Sequence, residues 1–165
     1  MIILAKKIDF HFLFSHPAHF IALGFGSGLS PKAPGTVGTL LGFPLFLLIT
    51  SFYPASIIPI LIIGFLIGIW ACGKTGFDLG VADHGGMVWD EVIAFAIVLL
   101  YTPTTGLWYL IAFGLFRLFD IWKPFPIRYF DRKVKGGFGV MLDDLLAAIY
   151  AIVVIQLSIF LKTLL

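Results

Sequence analysis

Long uncharged stretches alternate with short polar clusters along this chain. Residues 33–73, 92–116 and 145–161 contain no Asp, Glu, Lys or Arg. Turn-forming residues interrupt the first stretch at 53–56 and the second at 102–106. The pattern therefore divides into five apolar segments, at residues 37–52, 57–73, 88–101, 107–122 and 142–161.

These segments are predicted to be helices that cross a membrane. They lack the alternation of apolar and polar residues that is typical of half-buried strands, and an open sheet edge is not stable in lipid. A bilayer core needs about 17–25 helical residues, so the shorter segments must place their polar ends among the lipid headgroups. Residues 10–24 contain three histidines and Pro17, which favours a helix lying at the interface over a further span.

The composition supports a membrane protein. Hydrophobic residues make up 60% of the 165 residues and charged residues only 12%, with a mean hydropathy of +1.06, whereas soluble domains are about 25% charged. We therefore predict one domain, residues 1–165, with an all-α fold: a polytopic helical bundle of about five short transmembrane helices and an N-terminal interfacial helix. The single cysteine, Cys72, lies in an apolar segment and is predicted to be buried.

The charges are distributed unevenly. If each segment crosses the membrane once, ten of the eleven Lys and Arg residues lie on one side, and only Lys162 lies opposite. All nine acidic residues fall on the same side as the ten. The positive-inside rule makes this side cytoplasmic. Because a transporter usually places charges at mid-depth, this pattern favours an enzyme that acts at the membrane surface. No nucleic-acid partner is expected.

A glycine-rich segment precedes the first span. Residues 24–36 contain four glycines and two prolines, so they are not the interior of a helix. Such a loop, leading into a helix N-terminus, can present backbone N–H groups to a phosphate. Lys32 would add a positive charge, and Thr36 a hydroxyl group or a helix N-cap. The alternative is an ordinary flexible loop.

Paired acidic residues begin two of the apolar segments. Asp90 and Glu91 lie at the start of the third segment, and Asp143 and Asp144 lie at the start of the fifth. One acid is explained by the helix dipole, but two that run directly into apolar residues are costly to desolvate unless they bind a partner or a metal. Adjacent helical residues point about 100° apart, so Asp90 and Glu91 are expected to serve neighbouring sites and hardly one shared contact.

The end of the fourth segment contributes a further acid with basic neighbours. Arg117 and Asp120 are spaced i, i+3, so they share a helix face and can pair. Pro124 is expected to end this helix and leave Lys123 at its edge. A purely structural ion pair is the alternative to a site in which Arg117 also meets phosphate.

Together these groups suggest metal-assisted phosphate chemistry. Several carboxylates at one face suit Mg²⁺, which proteins bind through a few carboxylates plus substrate phosphate. Neighbouring Lys and Arg would bind the remaining phosphate charge. The predicted reaction is attack of water on the phosphate of a lipid.

Several motifs carry a resemblance to a known family. These are Gly26-Ser27-Gly28 with 31–36, Val88-Trp89-Asp90-Glu91, and a longer set within 116–144 that includes Lys123-Pro124, Asp131, Gly136-Gly137 and Asp143-Asp144. The chain resembles the bacterial phosphatidylglycerophosphatase A family over residues 20–150. The one departure is Trp89, where a smaller apolar residue is expected.

The resemblance implies Mg²⁺-dependent hydrolysis of phosphatidylglycerophosphate to phosphatidylglycerol and phosphate, in phospholipid biosynthesis at the bacterial inner membrane. The catalytic and metal-binding residues it implies are Asp90, Glu91, Asp120, Asp143 and Asp144. The phosphate-binding residues it implies are Lys32, Arg117 and Lys123, and the hydroxyl of Thr36 in the glycine-rich segment is a further candidate. The resemblance does not determine which acid binds metal and which acts as base.

The main alternative is a non-enzymatic membrane protein, either a small carrier or an assembly factor whose acids bind a partner. Self-association is a further possibility, because Gly64, Gly68 and Gly73 lie in one apolar segment and small residues favour helix packing in membranes.

Overall fold

A computed structural model describes residues 8–164. Within them the regular structure is helical throughout, as predicted, with no strand. Short 3₁₀ turns cover Gly24–Leu29 and Pro54–Ser56. The α-helices are α1 (Phe10–Ser15), α2 (Pro17–Ala22), α3 (Pro34–Phe52), α4 (Ile57–Leu79), α5 (Trp89–Leu100), α6 (Gly106–Trp122), α7 (Ile127–Lys133) and α8 (Gly137–Leu164).

Each of the five predicted apolar segments forms one helix, but the count of five spans is not confirmed. Three helical segments in the described part are long and apolar enough to cross a membrane: Pro34–Phe52, Pro54–Leu79 and Gly137–Leu164. Helix α6 has 17 residues. Helix α5 has 12, which makes it about 18 Å long, shorter than a bilayer core of about 30 Å.

Helix α5 lies at the centre of the bundle. It packs against α3, α4, α6 and α8, and most of its residues are buried, including Val92, Phe95 and Val98. In contrast, α4 has a buried face containing Leu61 and an exposed face containing Ile62 and other large apolar residues. The outer helices thus present apolar surface outward, as helices that cross a membrane would, whereas the hydrophobic residues of α5 form the protein core.

The N-terminal segment forms two helices of six residues each, where one interfacial helix was predicted. His16 and Pro17 separate them: the His16 ring caps α2, accepting from the Ala18 N–H at 3.0 Å. Buried His19 then joins α2 to α4 through Asp78, with 2.8 Å between Nε2 and Oδ2. Neither helix is long enough to span a bilayer. Lys6 and Lys7, which contribute to the predicted charge asymmetry, lie outside the described residues.

Glycines allow close contact between helices within the chain. A Cβ on Gly68 would lie 2.4 Å from the Met141 sulfur, and a Cβ on Gly64 would lie 2.7 Å from Ile93 Cδ1. Both glycines therefore face the protein's own core, so they do not support the possibility of self-association through this helix. Cys72 is buried in the same region, as predicted.

The antiparallel arrangement brings five helix ends together. The N-termini of α3, α5 and α8 and the C-termini of α4 and α6 lie at one end of the bundle. At the other end, Gln156 in the second half of α8 donates to the Tyr101 carbonyl that follows α5, at 2.6 Å. The acids in the first turn of α5 therefore lie close to Asp143 and Asp144. The prediction that Asp143 and Asp144 stand at a helix start was wrong, because α8 already begins at Gly137 and places them in its second turn.

Candidate active site

Three carboxylates converge where α5 meets α8. Asp90, Glu91 and Asp144 each offer an oxygen atom, and these atoms lie within 4.8 Å of one another. The expectation that the adjacent Asp90 and Glu91 hardly share a contact was therefore wrong. Helical side chains lean toward the N-terminus of their helix, and Glu91 has one more methylene than Asp90. The two carboxylates can therefore meet at the N-terminal end of α5.

These three carboxylates keep oxygen atoms without protein partners. Asp90 Oδ1, Glu91 Oε2 and Asp144 Oδ2 are buried and make no hydrogen bond within the described part of the chain. Asp90 and Asp144 are only 8% and 3% exposed. Buried, unpaired carboxylate oxygens are unfavourable unless a cation compensates them. This all-oxygen donor set therefore fits a hard divalent cation such as Mg²⁺.

Arg117 links α6 to this cluster. Its Nη1 donates to Asp120 Oδ2 in a close contact, which confirms the predicted i, i+3 pair. The same nitrogen lies 3.6 Å from Glu91 Oε1 and 3.4 Å from the Thr39 hydroxyl. Asp120 is near enough to Asp144 for their charges to interact. Asp120 thus borders the three-carboxylate cluster but is already paired.

Lys123 is a second basic residue beside the acids. It ends α6 in a left-handed conformation, with φ at 47°, just before Pro124, as predicted. Its Nζ donates to Asp143 in a close contact and to Asp131 Oδ1 at 3.1 Å. Partial burial lowers the pKa of Lys123, but the charges and hydrogen bonds of Asp143 and Asp131 outweigh it, so this pKa is raised above its ordinary value. Lys123 therefore stays charged.

The glycine-rich loop reaches the site through Gly35. A Cβ there would lie 2.2 Å from Glu91 Oε1 and 3.3 Å from Arg117 Nη1, so glycine lets the first turn of α3 approach both groups without displacing their side chains. Thr36 lies in that turn, but the N-cap of α3 is Ala33, so the N-cap role predicted for Thr36 was wrong. Lys32 is exposed in the preceding loop, and neither its ammonium nor the Thr36 hydroxyl bonds to a carboxylate within residues 8–164.

Two further acids lie beside the predicted set. Asp131 contacts Lys123, and Asp83, in the loop between α4 and α5, is close enough to interact electrostatically with Lys123 and Asp143. Asp131 stood within a recognised motif, but no role was predicted for it. Gly35 also lies in one of these motifs, but its close approach to Glu91 was not predicted. No periodic pattern relates these residues, because loops and a helix end separate each from its partner.

Comparisons with known proteins agree with the motifs. The family model described as phosphatidylglycerophosphatase A matches residues 20–159. A Haemophilus influenzae protein named phosphatidylglycerophosphatase A is 51% identical over 142 residues, covering 85% of this chain and 87% of the relative. An Escherichia coli protein of the same name is 47% identical, covering 82% of this chain and 79% of the relative.

A third relative differs in the substrate that its name gives. This Bacteroides thetaiotaomicron protein carries the provisional name phosphatidylinositol-3-phosphatase and is 38% identical, covering 84% of this chain and 91% of its own length. No solved structure matches the chain. The match to the family model covers most of the chain, and the clustered acids lie inside it. This chain belongs to the phosphatidylglycerophosphatase A family.

Proposed function

We propose that this chain is a Mg²⁺-dependent phosphatase that hydrolyses phosphatidylglycerophosphate to phosphatidylglycerol and inorganic phosphate. The proposal rests on the buried cluster of Asp90, Glu91 and Asp144, whose oxygens converge and are partly unpaired. Two basic residues lie beside this cluster: Arg117, near Glu91, and Lys123, which bonds to Asp143. The names of the Haemophilus influenzae and Escherichia coli relatives support the choice of substrate.

The five predicted acids divide into two groups in this proposal. Asp90, Glu91 and Asp144 would hold the divalent cation, because their oxygens converge and each keeps one buried oxygen without a partner in the described residues. A bound divalent cation supplies a Lewis acid that neutralises phosphate charge and makes water more acidic. Asp120 and Asp143 each contact a basic residue directly, so they are less available to the cation and are the proposed proton acceptors.

The basic residues bind the terminal phosphate. Arg117 has a buried Nε–H without a partner in the described residues, so it can donate to a phosphate oxygen while Nη1 still holds Asp120. The other proposed phosphate-binding residues are Lys123 and, from the glycine-rich segment, Lys32 and Thr36. During hydrolysis, the water oxygen bonds to phosphorus, the bond from phosphorus to the glycerol oxygen breaks, and that oxygen leaves with a proton.

The charged end of the bundle is proposed to face the cytoplasm at the bacterial inner membrane. Among the described Lys and Arg residues, only Lys162 is remote from this end, and positive charge favours the cytoplasmic side. The substrate's phosphate would then meet the acids at headgroup level, while its acyl chains stay in the bilayer.

Phosphate release by the purified, detergent-solubilised protein tests the function. We expect release from phosphatidylglycerophosphate with Mg²⁺, loss of release with EDTA, and recovery when Mg²⁺ is restored. Phosphatidylinositol 3-phosphate serves as a parallel substrate, chosen from the name of the Bacteroides relative. Absence of release with Mg²⁺ would support the carrier or assembly-factor alternative, and release that persists in EDTA would contradict a metal requirement.

A further inference from the structure

Two shallow cavities, both open to the surface, flank the C-terminal end of α6, outside the carboxylate cluster. One, of about 590 Å³, is lined by Lys123, Arg128 and Arg132, together with aromatic residues. The other, of about 580 Å³, is lined by Arg117 and Arg128. Trp122 and Arg128 line both cavities, so Arg128 lies between them.

Each cavity reaches the candidate active site through one basic residue. Lys123, in the first cavity, bonds to Asp143. Arg117, in the second cavity, bonds to Asp120 and lies near Glu91. A ligand group beside Arg128 is therefore next to both basic residues that border the carboxylates.

Arg128 differs from those two residues in its partners. It is exposed and makes no ion pair within residues 8–164, and its Nη2 donates to the Trp122 carbonyl at 3.3 Å. This bond anchors the guanidinium at the end of α6 and leaves other N–H donors free. An anchored guanidinium with free donors is well suited to bind two oxygens of a phosphate group.

The surroundings of Arg128 resemble a membrane interface. Trp122, Phe125 and Tyr129, which are 60%, 81% and 51% exposed, line the first cavity with Arg132. Aromatic residues of this kind are enriched at the level of lipid headgroups. The anion most accessible to such a cavity is the phosphate group of a lipid.

The proposed substrate carries two phosphate groups. Its terminal phosphomonoester is the group that is hydrolysed, and its phosphodiester, one glycerol unit away, links the headgroup to the lipid. We propose that Arg128, assisted by Arg132, binds this phosphodiester while the terminal phosphate occupies the carboxylate site. This inference rests on the proposed function, and it makes Arg128 a specificity residue for lipids that carry both groups.

The test compares Arg128→Gln with the wild type on phosphatidylglycerophosphate in neutral detergent micelles, which contain no other anionic lipid. We expect KM to rise about 10-fold with kcat within twofold, because the lost contact is made before and during reaction alike. Lys135→Gln is the matched control: it also removes an exposed positive charge, but Lys135 lines neither cavity, and its KM should stay unchanged.

Competition separates the phosphodiester from the terminal phosphate. Short-chain phosphatidylglycerol carries only the phosphodiester, so it should inhibit Arg128→Gln about 10-fold less strongly than the wild type. Inorganic phosphate should inhibit both proteins equally. An unchanged KM, an equal loss of both inhibitions, or a defect that appears only in anionic vesicles would overturn the inference; the last would indicate contact with bulk lipid.

Binding distinguishes failure of this inference from failure of the proposed function. If the wild type releases no phosphate, the proposed function fails, whereas equilibrium binding of labelled short-chain phosphatidylglycerol still tests Arg128. Wild-type binding that Arg128→Gln weakens about 10-fold would support the phosphodiester site. Equal binding by both proteins, or none by the wild type, would overturn it.

Discussion

At single residues, the acids differ in how closely a basic side chain contacts them. Asp120 and Asp143 each bond directly to a basic residue. Of the three clustered acids, Glu91 lies 3.6 Å from Arg117, and each of Asp90, Glu91 and Asp144 keeps one buried oxygen without a partner in the described residues. Buried like charges repel each other and favour an uncharged or cation-bound state. The fold therefore holds these three side chains in an arrangement that a divalent cation would stabilise.

Replacing Asp144 by Asn is expected to abolish activity without unfolding the protein. The amide has nearly the same shape but removes one charged donor from the cluster, so phosphate release should fall at least about 100-fold. Without Mg²⁺, thermal stability should be retained or rise, because repulsion among the three carboxylates is relieved. Phosphate release and thermal unfolding in detergent, each with and without Mg²⁺, measure the two effects.

Asp9→Asn is the control for this substitution. Asp9 is exposed and caps α1 through the Phe12 N–H at 2.8 Å, and Asn caps helices about as well as Asp. Its activity should match the wild type. Full activity in Asp144→Asn would remove Asp144 from the proposed site, and loss of folding would show that its role is structural.

Among the helices, close backbone contact fixes the start of α8 against α4. A Cβ on Gly137 would lie 1.8 Å from the Ile69 carbonyl oxygen and 2.6 Å from the Gly73 backbone nitrogen. Backbone atoms cannot move aside as a flexible side chain can. The position of α8, and with it that of Asp143 and Asp144, therefore depends on glycine at the first residue of this helix.

Gly137→Ala is expected to destabilise the protein and reduce activity. The added methyl group must push α8 away from α4, at a cost of about 1–3 kcal/mol, as for other overpacked sites. The thermal midpoint in detergent should fall, and phosphate release should fall more than the loss of folded protein explains, because α8 carries two acids of the site.

Gly114→Ala provides the comparison within a helix. Nothing lies within 4 Å of a Cβ at Gly114, and alanine is favoured over glycine in helix interiors, so stability should be kept or slightly increased. Equal behaviour of the two variants would show that the contact between Gly137 and α4 does not limit the packing of α8.

For the whole molecule, antiparallel packing separates an end that carries the acids from an end where Lys162 is the one charged residue among those described. The turn at Pro54–Ser56 and the loop at 101–105 carry no charge, whereas the carboxylates and their basic partners lie at the opposite end. This separation supports the proposed orientation, in which lipid headgroups on the cytoplasmic side meet the site.

Cysteine labelling of spheroplasts measures this orientation. Ser56 and Gly85 are exposed at opposite ends, and native Cys72 is fully buried, so it should contribute little background. We expect a membrane-impermeant maleimide to label Ser56→Cys in intact spheroplasts, and Gly85→Cys only after lysis. The reverse pattern would place the charged end outside and contradict the proposed cytoplasmic site.

Patterns along the chain were enough to predict the features that depend on local spacing or on counting charges. The helical segments follow from long apolar runs bounded by turn residues, and the contact between Arg117 and Asp120 follows from their i, i+3 spacing. The paired acids are expected at the same end of the bundle because the chain reverses its direction between successive apolar segments. These properties need no knowledge of which helices touch.

Long-range packing decided the rest. The 12 residues of α5 are as apolar as a span, and only their neighbours make them a buried core helix. The convergence of Asp144 with Asp90 and Glu91, the place of Gly35 beside Glu91 and the contact of Asp131 with Lys123 each join segments that are separated by a turn or a whole helix. Such contacts depend on how the helices are rotated and spaced against one another, which apolar periodicity does not specify.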